Sequence, residues 1–443
     1  MPLVATERGA RGDLIAGGLA VALVCVATAV GVGLRAGRFG DRYFPGAPAL
    51  FGEWPVLGEW LPHVGPGTVP AILLASAAVL WWPALAVRLP WRAALVAGYL
   101  LAVSWILALA LVDGAQRGFA GRLRTRDEYL TEVPGITDIP ATLRTFTSRI
   151  VEGVPGAWTT HVAAHPPGAT LVFVWLDRIG LSGGAWAALL CVLVAATTAV
   201  AVPVTIAALG RPDLARAALP FVALLPGAVW LGVSADGLFA GVTATGVALL
   251  AVGAARRLLV PCLAGGMLLG FGIFLSYGLV LMAPVALAVI WVTRNRAALL
   301  AALAGALAVA GAFALAGFGW LSGYHLVVVR YEQSIALARP YSYWVWANLA
   351  CLVLAAGPAA VAGLRRAVAG GTPVTPLVGA AALAVLAATL SGLSKAEVER
   401  IWLPFTVWLV AGAALLPAAS HRGWLAAGAV LALVVNHVLL TNW

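Results

Sequence analysis

The sequence predicts an all-α, polytopic membrane bundle of about thirteen spans, and three observations carry that prediction. Hydrophobic residues make up 62% of the 443 residues and charged residues only 10%, with a mean hydropathy of +0.99. A soluble domain carries roughly 25% charged residues, and no fold of this length hides so much apolar surface from water. The apolar residues come in continuous runs close to the ~20 a helix needs to cross a bilayer, not in the alternation of a membrane barrel. Surrounded by lipid, the backbone must satisfy its own polar groups, which a helix does. Finally, arginines collect in every second connection between runs, as the positive-inside rule expects of cytoplasmic loops.

Taken in order, a polar start (Met1 to Asp13) leads into run 14–34, too long for a removable signal and read as a retained first helix. Loop 35–68 follows, then runs 69–87 and 93–113 around the basic turn with Arg88 and Arg92. Loop 114–183 is the longest polar interruption. Its segment 166–180 is too short to span and would invert all later loops, so it reads as a re-entrant or surface helix opened by Pro166 and Pro167. Runs 184–208 and 214–233 flank Arg211 and Arg216, and run 236–254 ends at Arg256 and Arg257. Runs 259–275, 277–293 and 298–317 follow, the last pair joined by Arg294 and Arg296. After loop 318–343 come 344–362, the Arg365–Arg366 turn, 375–391, loop 392–400, 401–418, Arg422 and 424–441. The whole chain, 1–443, is one integral membrane domain. This places the N-terminus in the cytoplasm of a plasma (inner) membrane protein and gathers the polar chemistry on the outer face. The four cysteines lie inside apolar runs without metal spacing and read as small core residues. The net charge of +10 belongs to the basic loops and points to no nucleic-acid partner.

Five constellations bear chemistry. Asp127 and Glu128 are adjacent acids on the long outer loop, suited to proton abstraction from a hydroxyl or to a divalent metal, or else solvated charges beside Arg124 and Arg126. His161 and His165 lie four apart, but Pro166 pushes His165 out of helical geometry, which disfavours a zinc pair and favours hydrogen bonding to a phosphate or sugar, or anchoring of the loop. Asp236, in Ser234-Ala-Asp236, is either a functional carboxylate near a membrane helix end or its N-cap. The loop with Arg330, Tyr331 and Arg339 through Trp344 offers guanidinium and aromatic rings to a sugar phosphate, or an interfacial belt. Lys395, Glu397, Glu399 and Arg400 open a late helix, pairing with one another or gripping an anionic lipid phosphate.

The order of these elements, with His165-Pro166-Pro167 after the acidic loop and Glu397-Val-Glu-Arg-Ile-Trp402 late in the chain, resembles the GT-C superfamily of integral membrane glycosyltransferases. It is similar to the protein mannosyltransferase and aminoarabinose transferase branch, in an actinobacterial form. The resemblance implies a polyprenyl-phosphate-linked sugar as donor, an inverting attack, and a lipid, glycan or protein acceptor of the cell envelope, mannose and arabinofuranose being the candidate sugars. It implies Asp127 or Glu128 as general base. His161 and His165 would shape the pocket, Asp236 would position substrate, and Arg400, Lys395 or Arg330 would hold the phosphate, with Tyr331 and Glu399 beside them. In the family register the acidic loop follows the first helix, which would make Asp41 the base; sharing a loop with His165-Pro-Pro favours the 127–128 pair. The competing class is a transporter or lipid flippase of the envelope, which calls for mid-span charges and inverted repeats. The spans carry few such charges, and no repeat is evident.

Overall fold

The computed structural model describes residues 9–35 and 55–441. Asp41 lies outside the described residues. Each of the thirteen apolar runs is helical over most of its length, and among the described residues eight helices are long and apolar enough to cross a membrane, or nine if one bent pair counts as a span. The shortfall comes from runs that break or that form helices shorter than a crossing. Run 214–233 divides at Pro226-Gly227 into Pro212–Ala223 and Ala228–Leu231. Run 344–362 turns through 104° where Gly357, at φ +80°, separates Tyr341–Ala356 from Pro358–Ala369. Run 401–418 is the short apolar helix Leu403–Leu415, and Leu259–Leu275 and Tyr277–Thr293 are also shorter than a full crossing.

Segment 166–180 contains the 12-residue helix Pro167–Arg178, with proline in its first turn and its N-terminal half buried, Pro167 to Leu171 with Phe173 and Val174. The structure adds one element that the all-helical reading did not contain. Gly58–Trp60 pairs antiparallel with Leu439–Thr441 in register Gly58↔Thr441, and the pairing continues as Leu61 and His63 donate backbone N–H groups to Val438 and His437. This small sheet ties the start of the described first loop to the end of the last helix.

Close packing uses small residues, as expected where lipid provides no hydrophobic drive between helices. Leu259–Leu275 and Arg296–Leu315 touch backbone to backbone: a Cβ built on Gly266 would overlap the Ala302 carbonyl, and one on Gly305 the Leu263 carbonyl. Gly266→Leu is therefore expected to destabilise the fold by at least about 2 kcal/mol, read as a lower thermal midpoint in detergent, while leucine at Gly311, whose Cβ meets nothing within 4 Å, leaves it unchanged.

The polar contacts sort by helix end. Arg216 donates to the Ala86 and Leu89 carbonyls (2.6 and 2.9 Å), Asn295 to Ala254 O (2.9 Å), and Arg365 and Arg366 hold buried Asp13 (2.8 and 2.6 Å). All of these join basic connections to one another. The central helix Ala235–Arg256 has its basic end there and Asp236 at the other, about 33 Å away for 22 residues at 1.5 Å each.

Candidate functional site

Two strained turns deliver the site. Val233 stands at φ +52°, a costly conformation for a β-branched residue, just before the Ala235–Arg256 helix. Ser234 is the N-cap of that helix, its hydroxyl accepting the Gly237 N–H at 3.1 Å. The cap is thus filled by Ser234, and the Asp236 carboxylate is available for another partner. Ala396 and Glu397 are both left-handed, at φ +71° and +64°. Asn348 braces their loop from the neighbouring helix, donating to Ser394 O (2.6 Å) and accepting the Ala396 N–H (3.2 Å). Three of the five non-glycine residues with positive φ among the described residues flank this one cluster; the other two, Arg257 and Arg294, end helices. Strain of this kind clusters at active sites and ligand clamps in proteins generally, which makes this cluster the candidate site.

The long loop 114–183 supplies the rest. Leu123, Tyr129, Phe146 and Trp158 are buried anchors that fix its short turns. Helix Thr160–Ala164 stops at His165, whose backbone is extended ahead of Pro166. His165 Nδ1–H donates to His161 O at 2.8 Å, and Tyr129 packs against both imidazoles and Phe173.

These pieces converge on one enclosed network. Glu128 Oε1 lies 3.3 Å from His161 Nδ1. Arg400 Nη2 is 3.4 Å from His161 Nε2, and its guanidinium lies 3.2 Å from Asp236 and 3.6 Å from Glu397. Because guanidinium can only donate, His161 Nε2 accepts, which puts the imidazole proton on Nδ1, toward Glu128. Arg339 closes the network from outside, donating to Glu397 (2.9 Å) and Lys395 O (2.6 Å). Glu128, Asp236 and Arg400 are only 7%, 5% and 6% exposed.

Burial pushes the Glu128 carboxyl up, but the His161 imidazole, Arg400 and Arg122 outweigh it and hold it below the usual range, so it is ionised at neutral pH. Burial lowers the Arg400 guanidinium's affinity for its proton, and Asp236, Glu397 and Glu128 more than restore it. Burial brings His165 down to about 4 despite the charge of Asp236 and the bond to His161. Burial also pushes Glu399 up to about 7. That carboxyl is fully enclosed beside Cys351, and neither of its oxygens has a hydrogen-bond partner of good geometry among the described residues.

Of the residues expected from sequence, Glu128, His161, Asp236 and Arg400 come together, with His165 against them. Asp127 turns away: its half-exposed carboxylate accepts from Thr160 Oγ1 (2.9 Å) and lies 3.5 Å from Arg126. Lys395 sits over the Tyr331 ring (5.7 Å) at the rim. Arg330 is drawn off to Glu152 (4.0 Å) and Ile150 O (3.4 Å), and Glu399 faces Cys351, so neither joins the network. Glu397 and Arg339, which the sequence offered only as members of charged loops without a role of their own, join the network, and Asn348, which braces it, was not singled out by the sequence. Among the described residues no group of three or more His, Cys, Asp or Glu side chains is placed to hold a metal ion. Between Asp236 and Glu397, the place a cation would take, stands Arg400. No protein-family model matches the chain, and no curated protein or solved structure matches it.

The neutral His165 makes a pH prediction. The unfolded imidazole binds its proton below about 6.5, while the folded one resists until about 4. Between those values the unfolded chain binds more protons, so this contribution to stability is complete above pH 6.5 and lost as pH falls toward 4. Glu399 works in the opposite sense between about 4.5 and 7. The wild type and His165→Gln are therefore compared with each other: the fall in thermal midpoint from pH 7 to pH 5 is expected to be larger for the wild type. Equal falls would contradict the assignment.

Proposed function

We propose that this membrane protein is a GT-C-type glycosyltransferase that moves a sugar from a polyprenyl phosphate to a hydroxyl of a cell-envelope acceptor on the extracytoplasmic face. The observation that carries the reading is the carboxylate of Glu128, the one carboxylate of the network not within ion-pair distance of an arginine among the described residues, held against His161 beside a buried cation, at the helix ends opposite the basic connections. Phosphate is a competent leaving group, so such a site needs a base, a positive field and accurate placement more than an acid. A hydrolase would call for two carboxylates across the bond, and the divergence of Asp127 from Glu128 argues against that arrangement.

In the proposed reaction the acceptor hydroxyl replaces His161 Nδ1 as the partner of Glu128. Glu128 takes the hydroxyl proton as the oxygen attacks the anomeric carbon. The bond from that carbon to the phosphate oxygen breaks, and its electron pair leaves with the lipid phosphate. Asp236 and Glu397 fix Arg400, and Arg400 fixes His161, so the chain of contacts positions the base. Asp127 stays at the loop surface, where it caps the turn to Thr160.

The test is incubation of the purified protein with polyprenyl phosphates carrying mannose, arabinofuranose or other sugars, together with envelope extract as acceptor. The reading expects one donor to be consumed with release of polyprenyl phosphate. Unchanged donor throughout, with lipid moved between leaflets of a vesicle instead, would favour the flippase class.

A further inference from the structure

No aspartate or glutamate occurs between Asp236 and Glu332. Within that stretch Arg256, Arg257, Arg294 and Arg296 occupy the two turns that follow helices Ala235–Arg256 and Ala283–Thr293. The fold brings these turns together. Asn295 caps helix Arg296–Leu315 by accepting the Ala298 N–H (3.0 Å), and its amide reaches across to donate to Ala254 O (2.9 Å), two residues before Arg256. The helices that leave the two turns, Leu259–Leu275 and Arg296–Leu315, are the pair in backbone contact at Gly266 and Gly305.

All four arginines are exposed, and none makes a side-chain hydrogen bond or ion pair among the described residues. Other basic connections differ: Arg211 is bonded to Asp213, Arg216 to the Ala86 and Leu89 carbonyls, and Arg365 and Arg366 to Asp13. Two of the four also stand where glycine is the favoured residue. Arg257 (φ +57°) and Arg294 (φ +51°) are the left-handed residues that end their helices. The negative end of a helix attracts a cation in its last turn, which accounts for Arg256 but does not call for arginine at the left-handed positions. Left-handed strain and like-charge repulsion both oppose this arrangement, and a bound anion offsets the second.

The rim of the patch says which anion. Leu258 and Leu259 are exposed beside it, and Val260 and Trp291 are each 77% exposed. Tryptophan and aliphatic side chains turned outward next to arginine, at helix ends, match the boundary between hydrocarbon and headgroups. The anion within reach there is a lipid phosphate. Arginine forks take phosphate oxygens two at a time, so two adjacent pairs suit two phosphodiester groups.

We propose that Arg256, Arg257, Arg294 and Arg296 form a docking surface for the phosphodiester headgroups of anionic phospholipids, at the end of the bundle opposite the Asp236 network. The lipid neutralises the repulsion between the two turns and so holds together the helices that meet at Gly266 and Gly305. This surface is independent of the transfer reading.

The test compares thermal midpoints of the full chain in nanodiscs of phosphatidylcholine with and without phosphatidylglycerol. Wild type is expected to gain stability from phosphatidylglycerol. The double variant Arg257→Gly, Arg294→Gly is expected to be at least as stable as wild type in phosphatidylcholine, because strain and repulsion are both relieved, yet to gain much less from phosphatidylglycerol. Its affinity for that lipid should fall about 20-fold, since each arginine at an anionic surface contributes about fivefold. Arg88→Gln with Arg92→Gln removes the same charge from another exposed basic connection and is expected to keep the wild-type gain. An equal gain in the glycine variant, or an equal loss in the Arg88 and Arg92 variant, would reduce the effect to a general surface field and overturn the proposal. A glycine variant less stable than wild type in phosphatidylcholine would show that contacts within the protein hold these arginines, and would overturn it as well. The same gain from inorganic phosphate in phosphatidylcholine would mark a soluble-anion site and remove the lipid assignment.

Discussion

Glu128→Gln is expected to lower the rate of sugar transfer at least a hundredfold while the protein still folds. A positioned general base contributes about 10²–10⁴ in rate, and the amide keeps the shape of the carboxylate while losing its capacity to take a proton. The effect is expected in kcat more than in KM, because donor binding depends on other groups. The thermal midpoint should move little, since the Arg400 contacts to Asp236 and Glu397 remain. Asp127→Asn is the matched control. Its carboxylate points to Thr160 and Arg126 at the loop surface, so transfer is expected within a few-fold of wild type. Wild-type turnover in Glu128→Gln would remove the base assignment and bring Asp41 forward.

Arg400→Met is expected to be the most destabilising single change in the site. Methionine keeps the unbranched stem but not the guanidinium, so the buried carboxylate of Asp236 loses its cation, Glu397 keeps only Arg339, and His161 loses its brace. Breaking one member of a buried ionic cluster costs about 3–5 kcal/mol, mainly as uncompensated buried charge. Thermal unfolding in detergent would read this as a large fall in midpoint, with low yield of folded protein. Asp236→Asn combined with Arg400→Met is expected to recover part of the loss, because one orphaned charge is then removed. A double variant no more stable than Arg400→Met would show that the cost lies in packing and not in charge.

The bundle was legible in the sequence because lipid imposes a one-dimensional rule: long apolar runs become helices, and arginines mark alternate ends. The bend at Gly357 and the break at Pro226-Gly227 were written in residues that stop helices, but a hydropathy window averages over them. Glu128, His161, Asp236 and Arg400 were legible one at a time, as polar residues that lipid does not tolerate idly. Their meeting was not. His161 and Arg400 are 239 residues apart, and nothing local states that their elements pack together. The same reasoning explains Glu397. Its part depends on a left-handed backbone turn and on Arg339, 58 residues away, whereas local sequence only offered Glu399 as an equal alternative. The Asp236 N-cap alternative could not be resolved from Ser234-Ala-Asp236, because both side chains can cap and only the folded turn selects Ser234.

The account stands on the polar network lying at the extracytoplasmic ends of the helices. Single cysteines at Asp127, on the acidic loop, and at Arg422, on a basic connection, test this in intact cells with a membrane-impermeant maleimide. Labelling of the position-127 cysteine in intact cells, with the position-422 cysteine labelled only after permeabilisation, is the predicted result. The reverse pattern would place Glu128, His161 and Arg400 on the cytoplasmic side and contradict sugar transfer from an outward-facing lipid donor.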